Sequence, residues 1–63
     1  MTATTILLEV KNLYNVSARL DSLADTYPVV SEGLLAISAG VRNSATLLQV
    51  LVTTKMPPVS GLQ

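Results

Sequence analysis

Two runs of heptad-spaced apolar residues divided by Pro28 constrain this 63-residue chain more than any other feature. In the first run Ile6, Val10, Leu13, Ser17, Leu20, Ala24 and Tyr27 recur at alternating steps of four and three. In the second, Leu34, Ile37, Val41, Ser44, Leu48 and Leu51 do the same. Such spacing keeps one set of side chains on one side of an α-helix, whereas a strand alternates at every residue. Pro28 has no N–H and disfavours helix in the residue before it. The reading is therefore all-α: a helix over about 4–26, a turn over about 27–31 and a helix over about 31–54. Asp25, Thr26 and Ser31 are natural cap residues, and the second helix starts either with Pro28 as its first residue or with Ser31 as its cap. Pro57 and Pro58 end it after Lys55, a cation suited to the negative end of the helix dipole, and 57–63 follow as a tail.

A short connection favours antiparallel neighbours. Paired that way, the two runs align layer by layer: Val10 with Leu51, Leu13 with Leu48, Ser17 with Ser44, Leu20 with Val41, Ala24 with Ile37 and Tyr27 with Leu34. This register predicts a helix-pair core of Val10, Ser17, Ala24, Tyr27, Leu34, Ile37, Val41, Ser44, Leu48 and Leu51. The two serines then face each other mid-hairpin. Lys11, Asn12, Asn15, Arg19, Ser22 and Thr26 form the polar face of the first helix. Ser38, Arg42, Thr46, Gln49 and Thr53 form that of the second.

The apolar arcs left over are wider than one partner helix covers. Leu13, Leu20, Leu23, Leu47 and Val50, with the small strip Gly33, Ala36 and Gly40, are the expected oligomer interface. Chain size points the same way. A domain this small buries only ~60% of its unfolded surface and usually needs disulfides, a metal or a partner. The chain has no cysteine and no histidine, which leaves association. Two hairpins packed as a four-helix bundle, crossing at ~20°, are the expected result.

With four basic and four acidic residues, the net charge is zero, and no cluster of cations calls for nucleic acid. Gly33 to Thr53 approaches a bilayer span in length, but Arg42 stands mid-segment, where an arginine costs ~2.5–3.5 kcal/mol. The first 30 residues show no basic start before an apolar run, as expected of a cytoplasmic protein without a signal peptide.

Chemistry is sparse. Asp21 and Asp25 lie one helical turn apart, but two carboxylates with no loop make a solvated edge rather than a cation site. Ser17 and Ser44 have no base beside them to activate a nucleophile. Asn15-Val16-Ser17 matches the glycosylation sequon by chance, mid-helix. Val16, Leu20, Leu23, Ala24, Asp25 and Tyr27 match the loose spacing of groove-binding death-motif helices, but Asp21 stands where that motif has arginine, and core packing accounts for them. In length and layering the chain resembles the plasmid-encoded RNA-binding copy-number regulators, hairpins that dimerise into four-helix bundles. That resemblance implies the fold; the four cations here are scattered over three regions.

The expectation is a non-enzymatic helical association module, an adaptor, regulator or accessory subunit, with no cofactor and no metal. Its partner would be itself or a larger protein. The alternatives are a polymer-forming subunit of the needle, pilus or virion-coat kind and a membrane-associated accessory peptide. An obligate oligomer melts at higher temperature as protomer concentration rises. Circular dichroism should therefore show a mostly helical chain whose melting point climbs over a wide dilution series; a fixed melting point would contradict association.

Overall fold

A computed structural model describes residues 2–56. Helix α1 spans Ala3–Thr26, a 3₁₀ turn spans Pro28–Val30, and helix α2 spans Ser31–Lys55. The two helices pack antiparallel as a hairpin. Pro57, Pro58 and the expected 57–63 tail lie outside the described residues.

Local chemistry explains the ends. The Thr2 hydroxyl accepts from the Thr5 amide at 3.2 Å, occupying a donor that the first turn of α1 would otherwise leave free. At the other end the Tyr27 amide donates to the Leu23 carbonyl at 2.9 Å, closing the helix just before Pro28. Pro28 opens the 3₁₀ turn, its fixed φ suited to a first helical position and its missing N–H no loss there. The 3₁₀ turn thus begins at Pro28 and α2 at Ser31, which is its first residue rather than its cap. None of the three candidate cap residues caps α2: Val30 occupies the cap position and makes no side-chain cap bond. Thr26 instead turns its hydroxyl back onto the Ser22 carbonyl at 3.1 Å. Glu32 in the first turn of α2 and Lys55 in its last complement the helix dipole.

The line of contact between the helices is made of small residues. On α1 the buried residues are Ala3, Val10, Ser17 and Ala24; on α2 they are Ser38, Ala45 and Val52, with Ser31 half-buried. Each set repeats every seventh residue, the period that keeps a seam facing a partner helix. The register is set at one layer. Ser17 Oγ and Ser38 Oγ stand 2.7 Å apart, Ser38 Oγ donates to the Ser17 carbonyl at 3.0 Å, and Ser17 Oγ lies 3.3 Å from the Ser38 carbonyl. Two hydroxyl protons serve these three contacts, so one joins the hydroxyls and the other reaches a facing backbone. Counting outward from this layer puts Val10 level with Ala45, Ala3 level with Val52 and Ala24 level with Ser31.

This register corrects the one expected from sequence. Ser17 meets Ser38, not Ser44. Ser38, assigned to the polar face, is fully buried, whereas Ser44 is exposed. Ile37, Leu51 and Tyr27, expected in the helix-pair core, are 59%, 53% and 56% exposed. Leu34, Val41 and Leu48 are half-buried at the edge of the contact. The physical reason is distance. A serine hydroxyl sits one carbon away from its own backbone, so reaching the opposite carbonyl requires axes near the short end of the usual ~8–10 Å. Alanine, serine and an occasional valine permit that approach; a stripe of leucines holds helices apart.

The serine layer should respond to size more than to polarity. Ser38→Leu would overfill it, at a cost of ~1–3 kcal/mol. The S17A/S38A double variant should stay close to the parent, because both hydroxyls leave together and neither is stranded. Thermal melts of the two variants beside the parent check this; the reverse ordering would mean the two residues do not share a layer.

Candidate functional site

Helical geometry, about 100° per residue, places two flanks on either side of the seam, with the outer backs of the helices beyond them, and the flanks differ in kind. One flank carries the polar contacts between the helices, alongside Leu7 and Leu35. Tyr14 Oη and Thr46 Oγ1 are 2.8 Å apart across the helices. Thr46 commits its proton to the Arg42 carbonyl at 3.1 Å, so Tyr14 is the donor to Thr46. One turn along, Arg42 Nη2 donates to Asp21 Oδ2 at 2.8 Å, and the same nitrogen lies 3.5 Å from Ser38 Oγ. The pair is about half exposed, 51% at Arg42 and 41% at Asp21, so water screens it and it contributes at most ~1 kcal/mol. Arg42 nevertheless ties this flank to the buried serine layer. Asp25 is exposed beside it.

The opposite flank is apolar. From α1 it presents Ile6, Leu13, Val16, Leu20, Leu23 and Tyr27; from α2, Leu34, Ile37, Val41, Leu48 and Leu51. Two side chains, Glu9 on α1 and Ser44 on α2, interrupt it within its length, and Lys55 stands at its end. Among the described residues, every side-chain hydrogen bond between the helices lies in the seam or on the polar flank. Nothing of that kind crosses the apolar one.

The expected interface residues divide between this flank and the back of α2. Leu13 and Leu20 are half-buried on the flank, and Leu23 is 43% exposed beside them. Gly33 and Gly40 sit at its outer edge, and a methyl added at either meets nothing within 4 Å. The hairpin itself therefore makes no use of a close approach there. Ala36, Leu47 and Val50 point away from α1 into solvent. Residues expected in the helix-pair core, Leu34, Ile37, Val41, Ser44, Leu48 and Leu51, instead build the flank. The heptad run on α2 is real, but it marks this outer surface and not the contact with α1.

The depression lined by Asn12, Asn15, Val16, Ala18 and Arg19 is an open dent on the outer side of α1, with no acid–base pair. Among the described residues no three carboxylates gather as a metal-binding group. The segment Pro28–Lys55, 28 residues with a mean hydropathy of 1.3 in its most apolar window, is long and apolar enough to cross a membrane by length and composition. Compared with known proteins, the chain matches no family model, no curated sequence and no solved structure.

Sequence reasoning missed the Tyr14–Thr46 and Asp21–Arg42 pairs, because which residues face each other depends on the register. The cross-helix bond gives Thr46 a role that its exposed position does not advertise. Tyr14→Phe and Thr46→Ala should each cost ~0.5–1.5 kcal/mol. A double-mutant cycle on melting should show the two losses failing to add, since either change removes the same bond. Additive losses would mean the bond does not form in solution.

Proposed function

We propose that the chain is a small non-enzymatic helical module that works by protein–protein association through its apolar flank. We further propose that a second hairpin covers this flank and completes a four-helix bundle. One observation carries the reading: among the described residues, not one leucine or isoleucine is buried. The buried apolar residues are Ala3, Val10, Ala24, Ala45 and Val52 alone. Fully burying a leucine or isoleucine contributes ~1.5–3 kcal/mol, and alanine gives much less. The closed seam therefore collects little of the hydrophobic stabilisation this sequence can supply; part of the remainder lies on the flank, with Leu23, Tyr27, Ile37 and Leu51 exposed there, and part on Leu8, Leu35, Leu47 and Val50 outside it.

Size supports the reading. The 24-residue helix α1 runs for roughly 36 Å, and the hairpin measures 15 Å across. The flank thus offers on the order of 500 Å² per copy in flat projection, and side-chain relief adds to it. Stable interfaces take roughly 800 Å² from each partner, so the flank lies at the small end, where association is weak or is completed by neighbouring surface. An exposed apolar patch of this size is as large as the largest found on typical monomers, and such patches are often functional.

Sedimentation velocity without detergent tests the proposal. The parent should run as a small discrete oligomer. Leu23→Lys and Leu51→Lys, on the apolar flank, should shift it at least tenfold in dissociation constant toward monomer. Leu35→Lys, equally large and 48% exposed but on the polar flank, should leave it unchanged. Open polymers would favour the filament alternative, in which the outward Leu8, Leu47 and Val50 are covered too. A chain insoluble without detergent would favour the membrane one. A monodisperse monomer would remove self-association and leave a larger protein as the partner.

A further inference from the structure

The apolar flank is not uniform along its length, and its one polar break has a direction. The register set by Ser17 and Ser38 puts Ile6 beside Leu48, Leu13 beside Val41, and Leu20 beside Leu34. Between the first and second of these apolar layers lie Glu9 and Ser44, two residues apart in height, about 3 Å. Both project nearly straight out of the flank, about 100° round from the seam on their own helices. Both are exposed. Among the described residues neither has a side-chain partner, although a carboxylate accepts and a hydroxyl donates. The break is off-centre, nearer the open end of the hairpin than the turn.

Resting on the self-association proposed above, we infer that the second hairpin packs in the same sense as the first. Both turns then lie at one end, related by a two-fold axis parallel to the helices, with Glu9 of each copy against Ser44 of the other. In this arrangement α1 of one copy lies on α2 of its partner at equal height. Apolar layers then meet apolar layers, and the polar break meets the polar break. All neighbouring helices remain antiparallel. The reversed packing, with turns at opposite ends, carries each break to the height of the other copy's Leu20 and Leu34. A carboxylate pressed against that layer loses water without gaining a partner. Sliding the reversed pair until Glu9 clears those leucines gives up the Ile6 and Leu48 layer. A polar residue in an otherwise apolar seam setting orientation at some expense in stability is a known device in coiled coils. The centre of the flank carries no cation, so nothing on it selects an acidic partner over a second copy.

The chain has no cysteine, so a single introduced one reports orientation directly. Val29 is 97% exposed at the turn, and Val29→Cys bearing a spin label marks one end of the hairpin without touching the flank. The expected result is a dimer with a label-to-label distance below about 25 Å, set by the width of a four-helix bundle. A dimer with labels separated by roughly a helix length, about 36 Å or more, would overturn the orientation and leave self-association standing. A monomer at all concentrations would overturn both. Thr26→Cys, exposed at the same end, is the second label position and should agree. Adding Glu9→Leu to the Val29→Cys chain should keep the dimer while splitting the distances into a short and a long population. A single short population in that variant would show that Glu9 and Ser44 do not set the direction.

Discussion

The hydroxyl of Ser17 against that of Ser38 is the contact on which the remaining geometry depends. It is buried, and its members bond to each other and across to the facing backbone, so it tolerates no slip along the helix axis. A slide of one turn would strand both hydroxyls in a dry seam, at ~1–3 kcal/mol for each unsatisfied group. Because the bonds reach backbone carbonyls, they also draw the helices close. Close helices leave room only for alanine, serine and valine between them, which expels the leucines to the flanks. The apolar flank is thus a consequence of the tight seam.

The two flanks then divide the labour of a small domain. On the polar one, Asp21, Arg42, Tyr14 and Thr46 knit the hairpin together with contacts that are each modest and open to water. On the other, large side chains stand ready for a partner. Few residues are spent holding the hairpin itself, and in the proposed oligomer the flank would add the hydrophobic stabilisation that the seam lacks. Stability and association would therefore be coupled, as for obligate oligomers that have no stable folded monomer.

Such a division suits a chain with few chemical groups to work with. It holds four cations and four anions, no thiol and no imidazole. Its useful property is shape: a rod with one apolar flank and one polar flank. What distinguishes such a surface from a merely sticky one is the placement of its exceptions. Glu9 and Ser44 are the residues a uniform apolar stripe would lack, and the register brings them to nearly the same height.

Much of this was legible in the amino-acid order. The heptad spacing, Pro28 and the zero net charge determine two helices, a turn between them, antiparallel packing and an excess of apolar surface, because these follow from local geometry and composition. The seam on α1 was partly legible: Val10, Ser17 and Ala24 are where the spacing puts them. Which stripe of α2 meets α1 was decided only by tertiary packing. Leu34, Ile37, Val41, Ser44, Leu48 and Leu51 form the more apolar run, and hydrophobicity alone selects it. The stripe of Ser31, Ser38, Ala45 and Val52 is the contact because small side chains let two backbones approach and exchange hydrogen bonds. That gain belongs to the pair of helices and to neither sequence segment by itself.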